Sequence, residues 1–391
     1  MPDFPYDRLR RWPDVEAPEL RAWDATDELL VAQGRAEAAR RGLPAAEVAV
    51  IGDRYGALAL PLVAALGPGV RVHQDLVTGR IALDRNAAEL GLDGAVPGEL
   101  DRDLLDGVRL VLLQLPKGLA ELAEVADAVA RWAAPDVVVI AGGRVKHMTL
   151  GQNEVLGGRF ETVRAQRAER KSRIVVADGA RPMPTDPPFP TRAEHRDLPG
   201  GVPLTLCAHG GAFAADRLDI GTRTLLESIA EDGLAPPGPA VVDLGCGTGA
   251  LAAWHALRHP DAEVVATDRS AAAVRSARAT MAANGLGERV RVELDDAGSA
   301  LPAGGADLVL LNPPFHLGAS VHEGAGRRLI DAAARLLRPG GEVWTVFNSP
   351  LDHRRALAAA VGPTAQVRRT PKFTVTRSVR RRGMPDAFPR A

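Results

Sequence analysis

The stretch 240–249, AVVDLGCGTG, narrows the fold of this chain more than any other. An apolar run ends in an acid, a glycine-spaced loop follows, and GALAAWHAL continues at helical spacing. That order is strand, tight loop and helix start. Glycine lets a backbone turn sharply and approach a ligand where a side chain would clash. The glycines alone suit a dinucleotide loop equally well. Asn312-Pro313-Pro314-Phe315 sharpens the reading, because it directly follows a second apolar run, 308–311. Together the two motifs point to S-adenosylmethionine and a planar nitrogen that receives a methyl group.

The half of the chain holding both motifs alternates strand and helix patterns. Strand-like runs are Ala240–Leu244, 263–267, Val290–Leu294, 307–311 and 342–347. Helical spacing fills 219–229, Ala250–Arg258, Ala271–Ala283, 326–337 and 352–361. Such alternation gives a parallel sheet with helices on both faces. The runs 366–369 and Phe373–Val379 break it, with only Thr370-Pro371-Lys372 between them. That is too short for a crossover helix, so they predict an antiparallel hairpin at one edge.

Residues 180–201, ARPMPTDPPFPTRAEHRDLPGG, are proline-rich, poor in aliphatics and read as a linker. They separate a first domain, 1–179, from a second, 202–391. The first repeats the plan of the second. VAVIGDRYGALAL lines up with AVVDLGCGTGALA when Gly56 is matched to Gly249, and LVLLQLPKG lines up with LVLLNPPFH. The segments 160–167 and 172–177 look like another closing hairpin. The expected fold class is α/β: two tandem Rossmann-like class I methyltransferase domains, each a mostly parallel sheet with a C-terminal antiparallel hairpin. In the alignment Val50 replaces Asp243, Arg54 replaces Gly247, Tyr55 replaces Thr248 and Gln74 replaces Asp268. Gln114-Leu115-Pro116-Lys117 stands where the second domain has NPPF. Valine accepts no hydrogen bond, and Arg and Tyr side chains would fill the space above the loop. The first domain is therefore expected to keep the fold without the cofactor, and to hold RNA or support the second domain.

Composition excludes several classes. Apolar residues are 46% and charged residues 25% of the 391, as in ordinary globular chains. Two cysteines, one of them inside the glycine loop, cannot build a disulfide framework, which favours a reducing cytoplasm. No apolar stretch is long enough to span a bilayer, and the first residues, MPDFPYDRLRRWPD, lack an apolar signal core. Net charge is −1, but the basic residues cluster. Beyond Gln366, Arg368, Arg369, Lys372, Arg377 and four further arginines face one acid, Asp386. Arg159, Arg164, Arg167, Arg170, Lys171 and Arg173 form a second cluster. Such clusters suit a phosphate backbone, although general arginine richness supplies some of them.

The cofactor has three polar parts. Backbone N–H groups of the loop (Gly245, Cys246, Gly247, Gly249) and the following helix N-terminus favour its carboxylate. Asp243 can brace the loop or bind the amino group. Asp268, at the end of the next strand, can accept from both ribose hydroxyls, with a helix N-cap as its alternative role. Asp296 is the candidate acceptor for the adenine amino group, and Asp295 its competitor. The transfer belongs to Asn312–Phe315 by position. A base's exocyclic amine is a poor nucleophile because its lone pair is delocalised. The Asn312 side-chain oxygen and the Pro313 carbonyl can hold its hydrogens and turn the lone pair toward the methyl. Phe315 can stack on the base; Pro314 and His316 can touch substrate. No metal is required, and the histidines have no ligand spacing.

The chain resembles the bacterial ribosomal RNA guanine-N2 methyltransferases that have two methyltransferase-like halves. The segments that carry the resemblance are Arg217-Leu218-Asp219-Ile220-Gly221-Thr222-Arg223, VVDLGCGTGALA, LNPPFH and Lys372-Phe373-Thr374-Val375. Ala22-Trp23-Asp24-Ala25-Thr26-Asp27-Glu28 and Leu115-Pro116-Lys117 look more like the large-subunit (23S) enzymes than their small-subunit (16S) relatives. The resemblance implies methylation of a guanine N2 amine in ribosomal RNA, naked or partly assembled. It also implies that Phe213, Asp219, Gly221 and Thr222 fold over the cofactor. Three other readings stay open: a 16S enzyme, a methyltransferase for adenine N6 or protein glutamine, and a non-catalytic RNA-binding assembly factor.

Overall fold

The computed structural model describes residues 4–17, 19–232, 238–313, 319–351 and 353–382. It divides into two units, Met1–Phe189 and Pro190–Ala391.

In the first unit the strands are β1 (Val48–Ile51), β2 (Arg71–His73), β3 (Val96–Pro97), β4 (Leu110–Gln114), β5 (Val138–Arg144), β6 (Phe160–Ala165) and β7 (Ser172–Ala180). The helices are α1 (Ala25–Arg41), α2 (Ala59–Leu66), α3 (Val77–Leu90), α4 (Arg102–Leu105), α5 (Leu119–Trp132) and α6 (Leu150–Gly157). They form one sheet in the order β3-β2-β1-β4-β5-β7-β6. Its first five strands are parallel, and β7 runs antiparallel to both β5 and β6. Residues of α1–α3 cover one face and residues of α4–α6 the other. Asp24 starts α1 with a reciprocal cap: its carboxylate accepts from Thr26 N at 2.6 Å, while Asp27 accepts from Asp24 N at 2.7 Å. That is the local work of the Trp23-Asp24-Ala25-Thr26-Asp27 segment.

The second unit adds β8 (Thr191–His195), β9 (Leu204–Ala208), α7 (Ile220–Asp232), β10 (Ala240–Leu244), α8 (Ala250–Arg258), β11 (Glu263–Asp268) and α9 (Ala271–Ala283). There follow β12 (Val290–Leu294), β13 (Ala306–Leu311), α10 (Ala319–Leu336), β14 (Leu337–Asn348), α11 (Arg354–Ala360), β15 (Thr364–Arg369) and β16 (Phe373–Val379). The sheet order is β12-β11-β10-β13-β14-β16-β15. Strand for strand this is the order of the first unit, with the same antiparallel closing hairpin. The expected α/β plan, repeated twice, is the observed fold. β13 is buried at every position, as a central strand covered on both faces must be. Leu225, Trp254, Val274 and Met281 pack on one face; Ile330, Ala333, Leu336 and Leu357 pack on the other. Each of the larger aliphatic side chains among them contributes about 2 kcal/mol when fully buried.

The segment 180–201, expected as a linker, needs correction. β7 runs on to Ala180, and Thr191–His195 forms β8, which pairs antiparallel with β9. The next layer is held by side chains. Thr205, Cys207 and His209 donate their backbone N–H groups to Asn284 (2.9 Å), Thr280 (3.0 Å) and Ser276 (2.9 Å). The three acceptors are spaced by four, the last at the C-cap of α9, so they form one polar stripe that satisfies the buried edge of β9. Prolines around β8 hide it from a composition argument, and its partner lies beyond the segment.

Candidate active site

β10 and β13 lie side by side, and the chain leaves them toward opposite flanks of the sheet. Ligands of open α/β sheets bind at such a switch point, beyond the strand ends. The glycine loop leaves β10 there. Gly245 and Gly247 have φ of +74° and +55°, and a Cβ on either would meet nothing within 4 Å among the described residues. Gly249 has a different reason to be glycine: a Cβ would lie 2.8 Å from Met281 Cε and 3.0 Å from Ala277 Cβ, so its absence lets α8 close on α9.

Asp243 is 1% exposed at the end of β10. Its Oδ2 accepts from Ala252 N in the first turn of α8 at 2.9 Å, which braces loop and helix together. Oδ1 is buried without a hydrogen-bond partner among the described residues. Burial, with Asp268's charge adding to it against the Ala252 bond, pushes the carboxyl up to about 7. Cys246 is a free, buried thiol, pushed up by burial and then by Asp268 and Asp243.

Asp268 ends β11. Its Oδ2 accepts from Gly247 N at 3.0 Å and its Oδ1 from Ser270 N at 3.0 Å. The cap of α9 is Ser270, whose hydroxyl accepts from Ala273 N at 3.2 Å. Asp268 therefore ties the glycine loop to the neighbouring strand and leaves the helix cap to Ser270. Of the two acids after β12, Asp295 is taken up by its own turn, accepting from Ser299 Oγ at 2.5 Å and Ala300 N at 3.1 Å. Asp296 forms an ion pair with Arg328 of α10. No sequence motif signalled that pair.

Asn312 follows β13. Its Nδ2 donates to Thr222 Oγ1 at 2.9 Å and to Asp219 Oδ2 at 3.2 Å. Asp219 Oδ2 also accepts from Thr222 N at 3.1 Å. An ionised carboxylate only accepts, so the amide must turn its nitrogen to Asp219 and its oxygen away. That Oδ1 is buried with no partner among the described residues. Gly221 lies against the arrangement: a Cβ would be 2.9 Å from Asp219 Oδ2, 3.3 Å from Phe373 Cε1 and 3.5 Å from Asn312 Oδ1. Asp219, Gly221 and Thr222, expected beside the cofactor, thus meet Asn312. Their link to Asn312 and the place of Phe373 were missed by the sequence reading; the Lys372-Phe373 pair was the one available signal. Phe213 is 60% exposed on the loop before α7. Pro314, Phe315 and His316 lie outside the described residues.

The first unit has the same frame with different contents. Gly52 N donates to His73 O at 3.1 Å just as Gly245 N donates to Thr267 O at 2.9 Å. Ile51 pairs with His73 and Leu113, and Leu244 with Thr267 and Leu311. The register sets Val50 against Asp243, Gln74 against Asp268 and Gln114 against Asn312, as the alignment expected. Tyr55 is buried, its hydroxyl donating to Asp14 at 2.7 Å, whereas Arg54 is exposed. Asp53 sits at the position of Cys246. Its carboxylate accepts from Gly56 N at 3.0 Å and Ala59 N at 2.8 Å, with Leu58 N at 3.4 Å. A built-in carboxyl group, pushed up by burial against the pull of these N–H groups, thus engages the loop and helix start.

Several clustered arginines are engaged internally. Arg368 pairs with Glu227 and Glu231, Arg377 with Glu342, Arg159 with Asp127, Arg164 with Asp178 and Arg170 with Glu28. Arg369, Lys372, Arg381 and Arg382 are exposed. Among the described residues no His, Cys, Asp or Glu group could hold a metal ion, and no helix is long and apolar enough to cross a membrane.

Residues 203–377 match the family model of the methyltransferase small domain, and residues 3–181 match that of the RLMG N-terminal domain. A ribosomal RNA large subunit methyltransferase G of Streptomyces coelicolor is 35% identical over 388 residues, covering 95% of this chain and 97% of the relative. A protein of that name from Pseudomonas aeruginosa is 36% identical over 377 residues, covering 95% and 96%. Among solved structures, a T. thermophilus 16S rRNA N2 G methyltransferase in complex with AdoMet and guanosine superposes with a TM-score of 0.72 at 23% identity. The match covers 96% of this chain and 99% of that one.

Proposed function

Because the chain belongs to the ribosomal RNA large subunit methyltransferase G family, we propose that its second unit methylates the N2 amine of a guanine in large-subunit ribosomal RNA, with S-adenosylmethionine as donor. The observation that carries this reading is the Asn312 amide, its nitrogen tied to Asp219 and Thr222 and its oxygen buried and unpartnered. A buried carbonyl without a partner is costly, and an amine is the ligand that satisfies it.

The residues fit the donor. The orphaned Asp243 Oδ1 suits its ammonium group, and the loop glycines leave open space where side chains would stand. Asp268 suits the ribose and Asp296 the adenine edge; the Arg328 pair competes with the second role. When bound, S-adenosylmethionine supplies a methyl group already activated by the sulfonium. Asn312 Oδ1 and the Pro313 carbonyl hold the amine hydrogens and aim the lone pair, and the proton released goes to solvent. Catalysis is then alignment and exclusion of water. The target guanine must leave its stack to reach the strand ends.

The first unit's role is to hold RNA or support the second, since Asp53 already engages its loop. Ribosomal RNA is the partner and the cytoplasm the compartment. Tritium transfer from labelled donor to naked 23S RNA, 16S RNA and assembled subunits, followed by nucleoside analysis, tests the proposal. N2-methylguanosine in 23S RNA is the expected product. Label in 16S RNA alone would move the target to the small subunit, and N6-methyladenosine as sole product would overturn the guanine assignment. No transfer and no donor binding would leave an assembly factor.

A further inference from the structure

A second amide oxygen is stranded on the same face of the sheet, two residues beyond the position level with Asn312. β14 ends at Asn348, and among the described residues Asn348 Oδ1 is buried with no hydrogen-bond partner, like Asn312 Oδ1. Asn348 pairs with Phe373 at the head of β16. Paired residues of antiparallel strands present their side chains on one face. Phe373 belongs to the apolar cluster that includes Leu310, Trp344 and Val346. By the two-residue alternation of a strand, Asn348 follows Val346 onto that face, and Asn312 follows Leu310 onto it. The Phe373 ring and Asn312 Oδ1 already meet at Gly221, 3.3 and 3.5 Å from where a Cβ would stand. The ends of adjacent strands thus bring two unsatisfied acceptors to one side of the sheet, with an aromatic ring between their strands and α7.

An edge that satisfies two such acceptors must carry donors on neighbouring atoms. Guanine does: its N1–H lies next to its N2 amine. Adenine offers an acceptor, N1, next to its amine. We infer that Asn348 Oδ1 accepts the N1–H of the target guanine, and that this contact, beside the amine-holding Asn312, selects guanine over adenine. The inference deepens the proposed guanine-N2 activity and rests on it. It separates two tasks: Asn312 aims the nucleophile, and Asn348 reads the ring.

The test uses the full-length protein and two RNA oligonucleotides that span the mapped target nucleotide. One carries guanine there; the other carries 2-aminopurine, which keeps the 2-amine but lacks N1–H. The wild type is expected to favour guanine in kcat/KM by about tenfold or more, the effect of leaving one buried acceptor unpaired. Asn348→Leu is expected to bring that ratio close to one with donor affinity unchanged. Asn348→Asp, which keeps an acceptor, is expected to retain the preference. An equal ratio in the wild type overturns the inference without any variant. So does a Leu variant that keeps the wild-type ratio, or an Asp variant that loses it fully. In those cases guanine is still methylated and the activity stands; a wild type that transfers no methyl group to the 2-amine of either oligonucleotide overturns both.

Discussion

Asn312 donates its side-chain N–H to the Asp219 carboxylate at 3.2 Å across 93 positions of sequence. This bond fixes which end of the amide faces Asp219, and under the proposed function it leaves the oxygen for the target amine. Asp219→Asn keeps the shape but offers a donor as well as an acceptor, so the Asn312 amide can turn round. Turnover is expected to fall about 10- to 100-fold, as for loss of a charged hydrogen bond. Donor affinity by calorimetry should stay within about threefold of wild type on the same grounds. Equal losses in both would make Asp219 a donor-binding residue instead.

Gly221→Ala tests the same corner by steric means. The new methyl would stand 2.9 Å from Asp219 Oδ2, closer than real contacts come, and 3.3 Å from Phe373 Cε1, tighter than most. Either α7 shifts or the carboxylate turns away from Asn312. Expected is loss of most methyl transfer with a melting temperature within a few degrees of wild type, read by labelled transfer and calorimetry.

Pairing of Asp243 with the donor's ammonium group, as proposed, predicts a pH dependence of donor binding. Burial and the charge of Asp268 push its carboxyl up to about 7. A cationic ammonium partner favours the ionised form, so binding is coupled to proton release. Affinity should rise with pH between about 6 and 7.5 and then level, by linkage. Asp243→Asn should bind more weakly and show no such rise. A wild-type profile flat over that range would exclude ion pairing at this position.

One donor molecule per chain is expected. Calorimetric stoichiometry near one in wild type, and near zero in Asp268→Ala, checks it. Asp53→Ala removes the carboxylate that accepts from Gly56 and Ala59 in the first unit. It should cost about 2–3 kcal/mol of stability and create no second site. A stoichiometry of two would show that the first unit retains the ligand.

His255 is fully buried, and both ring nitrogens lack partners. Burial, then the neighbouring His259 and Arg258, lowers it to about 3 from an ordinary value of 6.5. The unfolded chain takes up a proton as pH falls through 6.5, while the folded one refuses it until about 3. This contribution is present in full above the unfolded value and erodes below it, by about 1.4 kcal/mol per pH unit. His255→Leu should flatten the decline of the urea midpoint between pH 7 and pH 5. An unchanged slope would place the acid sensitivity elsewhere.

The sequence by itself determined the two-fold repeated α/β plan. Ala240–Leu244, Val290–Leu294 and Phe373–Val379 are strands at the bounds their apolar runs gave, and Ala250–Arg258 and Ala271–Ala283 are helices at theirs. These are local properties: apolar period, glycine and proline punctuation, and a helix start after a glycine loop. The same information exposed Val50, Gln74 and Gln114 as replacements, because strand register preserves alignment. Only the tertiary structure decided what each polar group meets. Asp268 could have capped a helix, and Ser270 took that place. β8 was hidden among prolines until β9 paired with it and α9 satisfied the far edge. Asp219 meets Asn312, and Asn348 stands on the face of Phe373, because strands distant in sequence end side by side. A hydrogen bond depends on distance and direction in space, and spacing along a chain carries neither once the chain has turned.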